Sequence, residues 1–242
     1  MPNPRVVAIA QARMNSSRLP GKALCVVAGQ PLLAHHLRRL QRAQRVDQVV
    51  LATTGNPEDD PLATVAAELG VAVFRGDAQD VLGRFAAAAA AHRAAVVART
   101  TADCPLLDPE LVDQVIDSFL AADPPVAYAH LDVRVFPRGL DVEVFSVTAL
   151  QEAARQAREP HEREHVTPYL YQRPEIFRCQ GVGHGGAPVA GRWCVDEPAD
   201  LALMRHLLPR VPLDCGWREV CRILDSHPEW RTLNHGVAQK TF

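Results

Sequence analysis

Four short apolar runs mark the first half of the chain: "RVVAIAQA" at 5–12, "VDQVVLATT" at 46–54, "VAVFRG" at 71–76 and "AAVVARTTAD" at 94–103. Each is rich in valine and collects its polar residues at the C-terminal end, as strands buried on both faces of a parallel sheet do. Helical patterns lie between them. "PLLAHHLRRLQRAQ" returns Leu33, Leu37 and Leu40 to one face. "DDPLATVAAELG" does so with Leu62, Val65, Ala66 and Leu69, and stops at Gly70, a natural C-cap. "DPELVDQVIDSFLAAD" offers Asp108 as N-cap, Pro109 at the first helical position and a stripe of Leu111, Val115 and Phe119. From Asp123 the rhythm changes. "PPVAYAH" and "LDVEVFS" read as strands around the "VFPRG" turn, followed by helices at about 148–158, over "DEPADLALMRHLL" and over "WREVCRILDSHPEW", the last ending before Pro228. "GVGHGGAPVAG", residues 181–191, is the loosest segment, a lid or a surface loop.

Alternating strands and helices predict an α/β fold, a mostly parallel mixed sheet flanked by helices, whose ligands bind outside the carboxyl ends of the strands. No serine or glycine tract separates the halves, so residues 1–242 are expected to form a single domain. A formal charge of -2, from 26 basic and 28 acidic residues, argues against a nucleic-acid partner but leaves room for a local basic pocket. The six cysteines show no C-x-x-C pair, and no apolar run is long enough for a membrane span or a signal peptide. A cytoplasmic protein without membrane insertion is the expectation.

The loop after the first strand, "QARMNSSRLPGKAL", gathers Arg13, Arg18 and Lys22 with two serines, Pro20 and Gly21. A loop leaving a buried strand for a helix can aim backbone N–H groups at an anion while basic side chains neutralise it, with Gly21 permitting close approach. A solvated basic turn is the alternative. Neither G-x-x-x-x-G-K-[ST] nor G-x-G-x-x-G follows the first strand, which excludes the common kinase and dinucleotide loops.

"AIAQARMNSSRLPGKAL" resembles the N-terminal signature of the sugar-acid cytidylyltransferases, the Kdo and acylneuraminate type, and most closely their SpsF-like spore coat polysaccharide branch. "VVLATT", "VFRGDAQDVLGRF", "RTTADCPLLDPELVD", "FPRGLDVEVFS", "HEREHVTPYLY" and "WCVDEPADL" extend the likeness, in order, over nearly the whole chain. The resemblance implies a nucleotide-diphospho-sugar transferase-like (GT-A-like) domain, commonly a homodimer, that uses Mg²⁺ and CTP to activate a sugar or sugar acid for glycan precursor synthesis and releases pyrophosphate. Residues 1–122 would form the nucleotide half and 123–242 the sugar-binding and dimerisation half. Arg13 and Lys22 would grip the triphosphate, with Ala10, Ala12, Ser16, Ser17, Arg18 and Gly21 lining the same loop. Asp103 and Asp196 match the metal-binding aspartates, and Arg13, Lys22 and Asp103 would carry catalysis.

Asp103 and Asp196 each follow an apolar run, and two carboxylates facing one triphosphate repel it unless a cation such as Mg²⁺ reconciles them. Helix capping is the other use of both. Asp200 is a candidate outer partner of the second. Thr53 and Thr101, at strand ends, could bond a base or ribose, and Arg75 could touch nucleotide; Asp80 reads first as a helix cap, and Arg84 as a brace or a ligand contact. On the sugar side stand Arg138, Asp141 and Glu143, the last two on one strand face at period two, with Glu164 and His165. "HEREH" also fits the zinc-protease pattern H-E-x-x-H, but no third ligand follows and the order of the other motifs opposes it. Two rival functions remain: a nucleotide-sugar glycosyltransferase, for which "GLDVEVF" offers a loose D-x-E in place of D-x-D, and a non-catalytic nucleotide-binding pathway protein.

Overall fold

The computed structural model describes residues 4–238. Its strands are β1 (Val6–Gln11), a small antiparallel pair β2 (Val26–Val27) and β3 (Gln30–Pro31), β4 (Gln48–Thr54), β5 (Ala72–Gly76), β6 (Val96–Thr101), β7 (Tyr128–Leu131), β8 (Glu143–Ser146) and β9 (Cys179–Val182). The main sheet runs β5-β4-β1-β6-β8-β7-β9. β5, β4, β1 and β6 are parallel, β8 is antiparallel to both β6 and β7, and β9 returns parallel to β7. The predicted mixed α/β sheet is therefore observed, and it continues unbroken across the change of rhythm at Asp123.

Successive strand residues point to opposite faces, and both faces are covered. On one, Val6, Ala8 and Ala10 of β1 pack with α1 (Leu32–Leu40), α2 (Asp60–Glu68), α4 (Pro109–Ala121), α8 (Pro198–Leu207) and α9 (Trp217–Ser226). On the other, Val7 and Ile9 meet α3 (Val81–Ala91), α5 (Val147–Gln156) and the short α7 (Pro168–Tyr171), which follows α6 (Pro160–His165). Leu33, Leu37 and Leu40 are fully buried, as their spacing predicts. Gly70 takes φ +68° beyond the end of α2, the left-handed geometry of a C-cap. Asp108 caps α4 by accepting from Glu110 N–H at 2.9 Å, and its second oxygen accepts from Trp217 N–H at 2.8 Å, tying in α9.

The segment 181–191 is less loose than expected. Gly181 and Val182 close β9 at the sheet edge, and beyond them His184 lies against Phe136 and Trp217, with Nε2 2.9 Å from the Val135 carbonyl. "CQGV" escaped the strand reading because Gln180 and Gly181 break its apolar character.

Candidate active site

Three backbone junctions bring the site together. Loop 12–25 leaves β1 and is held from below by buried Asp59, which accepts from Met14 N–H at 2.7 Å and from the Thr54 hydroxyl. Gly21 turns the chain at φ +71° into a short 3₁₀ turn, Lys22–Leu24. Val195 N–H donates to the Asp103 carbonyl at 2.8 Å, so residues 92 positions apart lie side by side and Asp196 follows beside Asp103. Trp193 N–H donates to the Arg138 carbonyl at 2.7 Å, and at Gly139, φ +98°, a Cβ would stand 2.5 Å from Trp193 C and Cys194 N. Only glycine allows that approach, and it brings Asp141 alongside.

Two adjoining cavities result. One of about 560 Å³ is lined by Ala12, Arg13, Ser16, Ser17, Arg18 and Lys22 of the loop, with Arg84, Thr101 and Glu164. The other, about 470 Å³, is lined by Arg99, Arg138, Asp141 and Glu143 and by Tyr128, His130 and Tyr171. Asp103, Asp196, Gln11, Arg18, Thr101 and His165 belong to both, so the two carboxylates stand where the cavities meet.

Lys22 Nζ occupies the point at which those carboxylates converge. It donates to Asp103 Oδ2 at 2.7 Å, Asp196 Oδ1 at 2.8 Å and the Val195 carbonyl at 2.8 Å. Burial alone would raise the Asp103 pKa, but the Lys22 charge and hydrogen bonds from Lys22, Thr101 and Cys104 bring it down to about 2. Burial pulls the Lys22 ammonium the other way, and both aspartates outweigh it, leaving its pKa raised. Asp196 Oδ2 is held by Arg192 at 2.8 Å and by Arg18 at 3.2 Å. Fully buried Asp200 orients Arg192, at 2.9 Å, while accepting from the backbone N–H groups of Asp196 and Glu197 and from Asn234. It is the outer partner considered from the sequence, and it also closes the capping box of α8.

Other expected residues behave differently. Thr53 is fully buried in β4 with a hydroxyl that has no partner, and it lines neither cavity; Ala10 is likewise buried in β1. Arg75 points away and pairs with Asp60 at 2.7 Å. All three are corrected to residues outside the cavities, because period-two alternation turns them elsewhere. Glu164 lies on the loop-side cavity rather than the other, paired with Arg13 at 2.9 Å. Glu143 does line the second cavity, yet it already accepts from Arg99, from Tyr128 Oη at 2.6 Å and from Thr167 Oγ1 at 2.6 Å. Asp141 accepts from Gly139 N–H and pairs with Arg138 at 3.1 Å; burial, only partly offset by them, raises its pKa.

Asp80 caps α3 through Gly83 N–H at 2.8 Å and also pairs with Arg163. Arg84 braces the fold, buried and donating to the Asp77 carbonyl, and it also lines the loop-side cavity. The "HEREH" segment forms α6, whose buried Glu162 caps the helix start and pairs with Arg173 at 2.8 Å. Among the described residues, no group of three or more His, Cys, Asp or Glu side chains is arranged to hold a metal ion. Glu162, the central carboxylate of the pattern, is engaged at the helix start and by Arg173.

Missed from the sequence are Asp59, Arg99, Arg192 and Asn234: Asp59, Arg99 and Asn234 act on residues 34 or more positions away, while Arg192 acts on Asp196 and Asp200 just beyond it. Only Arg99 carried a signal, a charge inside an apolar strand run.

Residues 7–204 match the family model described as cytidylyltransferase. The chain belongs to the cytidylyltransferase family. It is 35% identical over 180 residues to the spore coat polysaccharide biosynthesis protein SpsF of Bacillus subtilis, covering 72% of this chain and 73% of that one. It is 34% identical over 180 residues to a 3-deoxy-manno-octulosonate cytidylyltransferase of Anaeromyxobacter dehalogenans, covering 69% and 73%. Among solved structures, a cytidylyltransferase from Leptospira borgpetersenii superposes with a TM-score of 0.91 at 28% identity, over 99% of this chain and 100% of that one. As a cytidylyltransferase the chain is a nucleotidyltransferase, which sets aside the glycosyltransferase and non-catalytic readings.

Proposed function

We propose that this cytidylyltransferase transfers CMP from CTP to a hydroxyl of a sugar or sugar acid and releases pyrophosphate, in the synthesis of a glycan precursor. The observation that carries the reading is the convergence of Asp103 and Asp196 at the junction of two cavities, one walled by the Arg13–Lys22 loop. CTP would occupy the loop side, with Ser16, Ser17 and Arg18 and the cationic Arg13 and Lys22 around its phosphates. The acceptor would lie against Arg138, Asp141 and the aromatic wall of Tyr128, His130 and Tyr171. These side chains would align hydroxyl and α-phosphorus, a contribution of position and charge rather than covalent chemistry.

Mg²⁺ fits the two aspartates: both offer hard carboxylate oxygens toward one point already occupied by a cationic group, and Mg²⁺ typically takes one or two carboxylates plus substrate phosphates. When bound there it would neutralise phosphate charge and polarise the α-phosphate. We further read the protein as a cytoplasmic homodimer. Six free cysteines are consistent with a reducing compartment, and the dimer is what the family likeness implies; light scattering would test it.

Pyrophosphate release from each of the four NTPs with Mg²⁺ and a panel of sugars and sugar acids tests the reaction. Release with CTP and an acceptor is expected. Preference for UTP, or a nucleoside diphosphate or monophosphate released in place of pyrophosphate, would overturn the reading.

A further inference from the structure

An ammonium has three N–H groups, and those of Lys22 are fully used by Asp103, Asp196 and the Val195 carbonyl. In this position Lys22 has no donor for a phosphate. A divalent ion shared by these aspartates would need the space between them, which Lys22 Nζ fills at 2.7 Å from Asp103 Oδ2 and 2.8 Å from Asp196 Oδ1. Asp196 cannot readily offer its other oxygen, since Arg192 and Arg18 hold Oδ2. Lysine and metal are thus competitors for one place, while the loop-side cavity into which Lys22 would have to swing is also lined by Lys22 itself, Ser16, Ser17 and Arg18.

From this competition we infer that Lys22 is a built-in stand-in cation that keeps the two-aspartate site closed to metal until a triphosphate draws it away. The inference rests on the proposed metal role of Asp103 and Asp196 and adds an order to it. A divalent ion arriving alone must displace Lys22 and leave its ammonium without partners. A triphosphate supplies oxygens for that ammonium, and the vacated carboxylates then need a cation. Metal and nucleotide binding are therefore positively coupled through one side chain, and each raises the affinity of the other by the same factor. The device also keeps two neighbouring carboxylates neutralised in the ligand-free protein, without a bound ion.

The test uses the full chain and Mn²⁺, whose free form is read by electron paramagnetic resonance, with and without a non-hydrolysable CTP analogue. Wild type should bind Mn²⁺ weakly alone and much more tightly with the analogue. Lys22→Met should bind Mn²⁺ without the analogue about tenfold or more tightly than wild type, within the usual range of coupling factors, and the analogue should add less than it does in wild type. Thermal melting gives a second readout: Mn²⁺ alone should raise the Tm of the variant more than that of wild type. Lys22→Gln, which keeps donors but loses the charge, replaces Met if the latter does not fold. Equal nucleotide-free Mn²⁺ affinity in wild type and a folded Lys22 variant would overturn the inference. If wild type binds Mn²⁺ with the analogue and Asp196→Asn does not, the metal role stands whatever Lys22 does; if wild type fails to bind Mn²⁺ even with the analogue, both fall.

Discussion

Replacing Glu143 with Gln tests whether this residue holds the acceptor or holds the protein. Its carboxylate, with 17% of the side chain exposed, already receives Arg99, Tyr128 and Thr167. Gln keeps the shape and removes the charge. Hydrogen bonds to a charged group are worth roughly 1 kcal/mol more than neutral ones, and the oxygen that becomes an NH₂ can no longer accept, so the three bonds together lose about 3 kcal/mol or more. Breaking a buried ion pair by removing one partner gives a similar figure, about 3–5 kcal/mol. In a chain of this size each kcal/mol moves Tm by about 2–4 °C, so about 3–5 kcal/mol should make Glu143→Gln melt roughly 6–20 °C below wild type.

The pH dependence has a definite sign. Burial would raise the Glu143 pKa, but Arg99 and the hydrogen bonds of Thr167 and Tyr128 leave it below the ordinary 4.5. A lowered folded-state pKa stabilises fully above the unfolded value, and the benefit is lost as pH falls through the folded value. The Tm gap between wild type and Glu143→Gln should therefore narrow on acidification below about 4.5. Calorimetry from pH 7 to pH 3 checks both statements, and an Arg99→Met, Glu143→Gln double variant should lose less than the sum of the singles. A Tm within about 2 °C of wild type, with a raised acceptor KM, would refute the reasoning and return Glu143 to the substrate.

Three further outcomes are expected. Thr53→Val should leave CTP affinity unchanged by calorimetry and keep or raise Tm, because it removes a buried hydroxyl that has no partner. Gly139→Ala should melt far below wild type or fail to accumulate as soluble protein, since its Cβ would meet the 193–194 backbone at 2.5 Å. If Asp196 holds the metal as proposed, Arg192→Met should lower kcat about 10–100-fold, the usual effect of losing an outer partner of a metal ligand, with CTP affinity in the absence of metal little changed. A normal kcat would show that Asp196 needs no such anchor.

The parallel half of the fold was legible because β1, β4, β5 and β6 are continuous apolar runs whose composition alone says that both faces are covered. The loop, Asp103 and Asp196 were legible because polar residues at the ends of such runs have one crevice to enter. Direction and pairing were not. Thr53 stands one residue short of the end of β4 and Thr101 at the end of β6, yet only Thr101 reaches a cavity; Thr101 aligns with Ala52 through Gln11, so the difference lies in register, not residue type. Arg99 and Glu143 face each other across the antiparallel β6–β8 ladder. Nothing in the sequence announces that pairing until the ladder is known, so Glu143 read as available when it is spent. β9 failed for a related reason: its place at the edge is set by β7, which hydrogen-bonds a segment too polar to declare itself.

What the fold fixes at the site is backbone, and what it leaves able to move is charge. Val195 N–H on the Asp103 carbonyl and Trp193 N–H on the Arg138 carbonyl, both backbone bonds, set the distance between the carboxylates and the second cavity. The cationic groups are held by side-chain pairs that a ligand can replace: Lys22 with two aspartates, Arg18 with Asp196 and Glu197, Arg13 with Glu164. Arg13 and Glu164 are about half exposed, so their pair is worth little and yields readily. Lys22 is much less exposed and bound by three partners, so its release costs more and demands a ligand that offers several anionic oxygens at once. On the reading proposed above, a triphosphate satisfies that demand better than a single phosphate does, and the more buried pair, not the more exposed one, is then where the loop would discriminate among anions.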